Sequence, residues 1–325
     1  MTEKPINPTY ISAPSRTIEI LKHFGITLRK TYGQNFLIDT NVLKKIANFA
    51  DIDNKDIILE IGSGIGSLTE IICQRAKKII AIEIDTSLSG IFKQIFEEYI
   101  NKKIFLIKND AMKLNYSKLA DSYGINKCVS NLPYKIAAPV LLKILSETQK
   151  ITDFYVTIQK DIAERILAIP GDKNYNAFSV KLNFYSHFIK SFSISRSCFY
   201  PKPYVDSVTV HIRRNERFLP NSILYKLSPL IISDVLKNYE LQISFTQDFF
   251  HFIEDCFYHR RKKLINSLNL RHSFYKDSEK KIITMLEKYG FSKDTRPEEI
   301  SLEIFLLLFL SIKGEYSYFL KNESI

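Results

Sequence analysis

Between Ile57 and Gln159, short apolar runs alternate with stretches whose apolar residues recur at helical spacing. "IILEI", "KIIAIEI", "KIFLIKN", "KCVSN" and "DFYVTIQ" read as strands. "SLTEIICQRA", "SLSGIFKQIFEEYI" and "APVLLKIL" read as the helices that alternate with them. Strands alternating with helices build right-handed βαβ units, so the fold class is α/β with a doubly wound parallel sheet. Such a sheet takes ligands outside the carboxyl ends of its strands, and functional residues are expected just after each one. "NAFSVKLNFYS" fits both periods: Phe178, Val180, Leu182 and Phe184 alternate, while Ala177, Val180 and Phe184 share a helical face. "FIKSFSI" and "SVTVHIR" are strands joined by the Pro-rich "RSCFYPKPYVD". After about Asn215 the strand signals fade. "DFFHFIEDCFYHRRKKLINSL", "SEKKIITMLEKYG" and "SLEIFLLLFLSIK" are expected helices, the last with Ser301 at its N-cap.

Charge sharpens the picture. The 325 residues carry 46 Lys+Arg against 35 Asp+Glu, a formal excess of +11 that suits a polyanion such as RNA, although solubility alone also accounts for it. Cys73, Cys128, Cys198 and Cys256 lie far apart, with neither metal-site nor disulfide spacing, as in reduced residues of a cytoplasmic protein. The N-terminus lacks a signal-peptide core. "IFLLLFLSI" is too short for a bilayer, which needs ~20 residues, so it is expected to be a buried helix and no membrane is implied.

Candidate chemistry falls where the topology places it. The first strand runs into "LEIGSGIGSLTE", where Gly62, Gly64 and Gly66 permit a tight turn and close approach of a ligand. A dinucleotide fingerprint needs glycine where Ser67 stands, so the G-x-G-x-G form with Glu60 ahead of it favours S-adenosylmethionine (AdoMet) over NAD. Glu83, ending the second strand, suits two ribose hydroxyls, or else a helix N-terminus. Ile84 offers a flat face to adenine, and Asp110 in "KNDAMK" an acceptor for its amino group. After the fourth strand comes Asn131-Leu132-Pro133-Tyr134. Asn and Pro form turns for backbone reasons alone, and a plain turn accounts for these four taken by themselves. They also suit chemistry on an exocyclic amine, whose lone pair is delocalised into the ring. The Asn131 oxygen and a carbonyl of Leu132 or Pro133 can hold the N–H groups and turn the lone pair toward a methyl donor. Tyr134 gives a stacking face for a flipped base, and Phe199 either a second face or a structural ring.

These motifs are collinear with the KsgA family of ribosomal RNA adenine dimethyltransferases, which the chain resembles along most of its length. "RKTYGQNFLID", "LEIGSGIGSLTE", "AIEID", "NDA", "NLPY", "IQKDIAERI", "FYPKPYVDSV" and "HRRKKLINSL" follow in family order. The resemblance implies a Rossmann-like class I AdoMet-dependent methyltransferase domain, residues 1–215. A smaller all-helical RNA-binding domain, residues 216–325, would follow it. By similarity, Gln34, Asn35, Leu37, Gly62, Gly64, Glu83, Ile84, Asp110, Ala111 and Asn131 form the AdoMet site. Asn131, Leu132, Pro133, Tyr134 and Phe199 would hold the target base. The family fold makes "NAFSVKLNFYS" a helix. The implied reaction dimethylates two adjacent adenosines in the 3′-terminal hairpin of 16S rRNA. It would yield S-adenosylhomocysteine, need no metal, and be run by a monomer that takes part in small-subunit biogenesis.

Ser63 stands where the family has proline, Asn176 where it tends to have glycine, and Ala137-Ala138 replace a more polar pair. Residues 218–245 look like an insertion. Arg260, Arg261, Lys262 and Lys263 form a basic cluster on an expected helix, facing phosphates or merely solvated. The nearest alternative is an Erm-like methyltransferase of 23S rRNA, against which "NLPY" and "GQNFLID" lean. A non-catalytic rRNA-binding assembly factor is another. An NAD oxidoreductase is least favoured, because the chain lacks both the third glycine of that fingerprint and a catalytic His or Lys at a strand end.

Overall fold

The structure, a computed structural model, describes residues 10–26, 34–215 and 239–323. Arg29–Gly33 of "RKTYGQNFLID" and 218–238 of the inserted segment lie outside them. The chain divides into two compact units: Met1–Ala163 with His187–Arg214, and Glu164–Ser186 with Asn215–Ile325.

The first unit is built on a seven-stranded sheet. Its strands are β2 (Ile57–Ile61), β3 (Lys78–Glu83), β4 (Ile104–Lys108), β5 (Lys127–Asn131), β6 (Asp153–Gln159), β7 (Ser186–Ile194) and β9 (Ser207–Arg214). They lie in the order β4-β3-β2-β5-β6-β9-β7. The first five pair in parallel, and β9 runs antiparallel to β6. From β2 the chain steps outward to β3 and β4, then returns to the other side of β2 for β5. That reversal is the topological switch point where a crevice opens. β1 (Phe36–Leu37) and β8 (Phe199–Tyr200) form a separate antiparallel pair, with Phe36 opposite Tyr200 and Leu37 opposite Phe199.

Local chemistry fixes the helices. Asp39 caps α2 (Thr40–Phe49), following α1 (Pro14–His23), by accepting from Asn41 N and Val42 N. After α3 (Ser67–Cys73), Asp85 caps α4 (Thr86–Ile95) in the same way. Asn115 caps α5 (Tyr116–Tyr123), which ends on Gly124. α6 (Ala137–Glu147) follows the NLPY turn. One core gathers Leu43 and Ile46 of α2, Ile71 and Ile72 of α3, and Phe92 of α4 against the strands.

α7 (Lys160–Leu167) runs across the division between the units. In the second unit, "NAFSVKLNFYS" is helix α8 (Ala177–Tyr185). Asn176 explains itself here. Its side chain accepts from Phe178 N and Ser179 N while the Ser179 hydroxyl accepts from Asn176 N, a reciprocal cap that glycine cannot make. Then come α9 (Tyr239–Cys256), α10 (Leu264–Arg271), α11 (Phe274–Lys288) and α12 (Leu302–Glu323). "IFLLLFLSI" is buried in α12 through Phe305, Leu306, Leu308, Phe309 and Ile312. Among the described residues no helix is long and apolar enough to cross a membrane.

Two expectations change. Glu164–Ser186, expected in the first domain, cluster with the helical unit, because Phe184 and Tyr185 pack on Phe249 and Phe250. The basic tetrad does not lie on a helix. Residues 257–263 form a turn between α9 and α10, held by His259 N donating to Ser267 Oγ (2.9 Å) and Leu264 N donating to Thr295 O (2.8 Å).

Candidate active site

A cavity opens at the carboxyl ends of β2, β3 and β5, and it is lined by segments far apart in sequence. Gln34, Asn35 and Leu37 line it, with Gly62, Gly64, Glu83, Ile84, Asp110 and Ala111. Asn131, Leu132, Pro133 and Tyr134 complete the wall. Of the residues expected to hold the cofactor or the target base, the fold thus gathers all but Phe199.

The glycine loop sits against the NLPY turn. Gly62 has φ +71°, and a Cβ there would lie 2.7 Å from Pro133 Cγ. Any larger residue would push the turn away or unwind the loop. Gly62 N and Ser63 N both donate to Ile82 O, at 2.8 and 3.2 Å, which ties the loop to the end of β3.

Glu83 is 5% exposed. Its Oε2 accepts from Gly64 N and its Oε1 from Asp85 N, both at 2.8 Å. A carboxylate has about four acceptor sites, so two remain after these bonds. Burial raises the Glu83 pKa, and the two backbone N–H groups work against that rise. The helix-end role belongs to Asp85, which caps α4 and also accepts from Gln34 Nε2 (2.9 Å). Ile84 is 43% exposed, an apolar surface beside these polar groups. Asp110 accepts from Met112 N with Oδ1 (2.8 Å), closing a short turn around buried Ala111.

Below the loop lies Glu60, 2% exposed, which accepts from the Thr69 hydroxyl (2.7 Å). Burial, with some help from the nearby Glu83 charge, pushes its pKa up to about 8.

Asn131 ends β5. Its Nδ2 donates to Asn35 O (3.3 Å), and its Oδ1 is buried with no hydrogen-bond partner. An orphaned amide oxygen costs about 1–3 kcal/mol, which folding alone does not explain. Leu132 N donates to Thr157 O and Ile136 N to Pro133 O, both at 3.0 Å. The Pro133 carbonyl therefore already serves the turn. Tyr134 OH shares a hydrogen bond with Ser207 Oγ (2.7 Å), which fixes the ring by its far end. Burial raises the Tyr134 pKa, so it stays a phenol near neutrality.

Phe199 departs from expectation. Its pairing with Leu37 in the β1–β8 ribbon turns the ring into the core, where it is 2% exposed and does not line the cavity. Sequence reasoning also missed two hydroxyls. Ser63 Oγ and Ser67 Oγ line the cavity and are buried without partners. Only Ser63 carried a signal, as a hydroxyl where the family has proline; that either hydroxyl lacks a partner is a property of the fold. Together these groups make an apolar cavity with acceptors at several points, suited to a donor-rich ligand with a flat ring.

In the second unit, Arg260 pairs with Glu298 (3.0 Å) and Lys263 with Asp294 (2.6 Å). Arg261 and Lys262 are exposed and form no ion pair among the described residues. No group of three or more His, Cys, Asp or Glu among the described residues could hold a metal.

Comparison with known proteins gives a consistent result. A family model described as "Ribosomal RNA adenine dimethylase" matches residues 25–244. A "Ribosomal RNA small subunit methyltransferase A" of Levilactobacillus brevis is 36% identical over 304 residues, 92% of this chain and 94% of its own. The protein of that name from Pediococcus pentosaceus is 33% identical over 95% of this chain and 98% of its own. Among solved structures, a dimethyladenosine transferase from Plasmodium falciparum superposes with TM-score 0.63 at 26% identity, covering 85% of this chain and 96% of that one. The 23S rRNA methyltransferase ErmE superposes with TM-score 0.57 at 19% identity over 86% and 99%, which bears on the fold alone.

Proposed function

Since the chain belongs to the ribosomal RNA adenine dimethylase family, we propose that it dimethylates the exocyclic amines of two adjacent adenosines in the 3′-terminal hairpin of small-subunit rRNA. AdoMet, when bound, supplies an electrophilic methyl group on sulfur. The residues fit that cofactor. Glu83 keeps two acceptor sites for ribose hydroxyls, Ile84 gives adenine a flat contact, and Asp110 adds an acceptor. Gly62 and Gly64 leave space that side chains would fill. Gln34, Asn35, Leu37 and Ala111 complete the wall, with the hydroxyls of Ser63 and Ser67 as further partners. No metal is needed for this chemistry.

The observation that carries the reading is the unpartnered, buried Asn131 Oδ1 at the cavity wall. It supports a role as acceptor for one N–H of the target amine. The Leu132 carbonyl is the better second acceptor, because Pro133 O already receives Ile136 N. Two acceptors turn the nitrogen lone pair out of the adenine ring, and their fixed positions stabilise the charge that develops on nitrogen. Pro133 holds the backbone. The Tyr134 ring, anchored through Ser207, is the stacking face for a base flipped from its helix. Phosphate contacts by Arg261 and Lys262, which form no ion pair among the described residues, would add affinity without sequence information. The protein would act as a cytoplasmic monomer on the small subunit or its precursor.

The test is methyl transfer from labelled AdoMet to under-methylated small and large ribosomal subunits side by side. Label should enter small-subunit rRNA as dimethyladenosine. Label confined to the large subunit would contradict the substrate, and no label in either would contradict the activity.

A further inference from the structure

The loop between β8 and β9 presents an aromatic surface that the AdoMet site and the NLPY turn do not use. Tyr204 is 96% exposed, the most open large hydrophobic residue among those described. A single exposed apolar side chain is ordinary. This one sits on backbone that is firmly held. Arg196 Nη1 donates to Tyr204 O (3.1 Å), Arg196 N donates to Asp206 Oδ1 (2.8 Å), and Lys160 N donates to Asp206 O (3.0 Å). The loop is also tethered to the cavity at both ends. Tyr200 pairs with Phe36, which lines the cavity, and Ser207 bonds Tyr134, which lines it too. Arg196, whose side chain holds the Tyr204 carbonyl, and Lys202, two residues before the ring in sequence, are both exposed and positively charged.

We infer that this loop is a stacking platform for the nucleotide adjacent to the target adenosine, with Tyr204 as the stacking face and Lys202 and Arg196 meeting its phosphates. The inference rests on the proposed RNA substrate. An open ring between cations is the pattern that binds single-stranded nucleic acid, because every base has a π-face and every linkage a negative charge. A base flipped into the cavity leaves its neighbour unstacked at the rim, and a ring tethered to that rim gives the neighbour a new stacking partner.

The protein has no tryptophan, so Tyr204→Trp installs its only indole at the site, excited selectively over the tyrosines. The probe is an unmodified RNA hairpin with two adjacent adenosines in its loop. Stacking predicts that the hairpin quenches the emission of the introduced indole, with the same half-saturation as binding measured independently. Tyr204→Ala should raise half-saturation for hairpin and under-methylated small subunit alike by about five- to a hundredfold, the range of one base–aromatic stack. The loss should fall on half-saturation rather than on the saturating rate, AdoMet affinity should hold, and Tyr204→Phe should bind nearly as the native chain does. A hairpin that binds without quenching overturns the inference, as does an unchanged half-saturation in Tyr204→Ala. A loss on the subunit but not on the hairpin also overturns it, since the ring would then meet a ribosomal protein. Absence of methylation by the unaltered chain is a separate result, and it counts against the proposed function.

Discussion

The two ends of the same sheet treat polar groups in opposite ways. At the amino ends of the strands, Lys127 Nζ donates to Ala50 O, Asp51 O and Asp56 Oδ2, and Asn126 Nδ2 donates to Asp56 Oδ1. Asp153 accepts from His211, Arg213 and Thr152. Burial alone would raise the Asp153 pKa, but those hydrogen bonds hold it well below the carboxylate range. At the carboxyl ends, Asn131 Oδ1, Ser63 Oγ and Ser67 Oγ are buried without partners, and Glu60 sits at the cavity with its pKa pushed up to about 8. One end is built for stability, with His211 Nδ1 its lone orphan among these groups. The other keeps buried acceptors that only a ligand would satisfy, and in natural proteins such costs gather at functional sites.

That contrast breaks most visibly at Lys127. Its side chain and that of Asp56 are 13% and 7% exposed, so Lys127→Ala leaves a buried carboxylate without its cation. Stability in urea should fall by about 3–5 kcal/mol, while the methylation rate per folded molecule stays the same. A lowered rate per folded molecule would mean that the two ends are not separable.

A pH series sharpens the other side. In the folded chain Glu60 keeps its proton up to about pH 8, against an ordinary value of 4.5. The folded state therefore binds the extra proton, and stability is greatest below the ordinary value and is lost as pH rises toward 8. The slope is at most about 1.4 kcal/mol per pH unit. Glu60→Gln should flatten it in urea melts between pH 5 and 8. Equal slopes in both proteins would show that Glu60 ionises freely.

Next in size is Glu83→Ala, which removes a buried carboxylate from the proposed ribose contact. AdoMet affinity should drop about tenfold or more, for a charged hydrogen bond worth ~1.5–3 kcal/mol. Calorimetry giving an unchanged constant would remove that role. The smallest effect concerns the second unit. Replacing Arg261 and Lys262 with Gln should lower the log–log salt slope of RNA binding by about 0.7–0.9 for each phosphate no longer neutralised. A slope that does not move would make both charges solvated.

Much of this was legible in sequence because it is local. Strand ends announce themselves by apolar runs that stop, and Glu83, Asp110 and Asn131 sit at those stops. What was not legible depends on long-range pairing. Phe199 faces the core because β8 lies against β1, far upstream, where Leu37 meets it. "HRRKK" continues a helical pattern, yet the turn is set by Ser267 and Thr295, whose bonds no local period encodes. Glu164–Ser186 join the helical unit through rings on α9, which the sequence places far away. The orphaned hydroxyls of Ser63 and Ser67 required coordinates, since sequence shows a hydroxyl but not whether it has a partner.

Asn131 Oδ1, left without a partner in the fold, is the proposed acceptor for the target amine. Single-turnover methylation of under-methylated small subunits by Asn131→Ala, at saturating AdoMet and with folding followed by thermal melts, tests it most directly. Removing a preorganised polar partner of the reacting group should slow the reaction by about a hundredfold or more. The melting temperature should not fall, because the variant sheds the desolvation cost of the unpartnered oxygen and loses only a long bond from the amide nitrogen to Asn35 O (3.3 Å). RNA affinity, dominated by phosphate contacts, should stay near that of the native chain. A variant that methylates at nearly the native rate would make Asn131 a turn residue and nothing more.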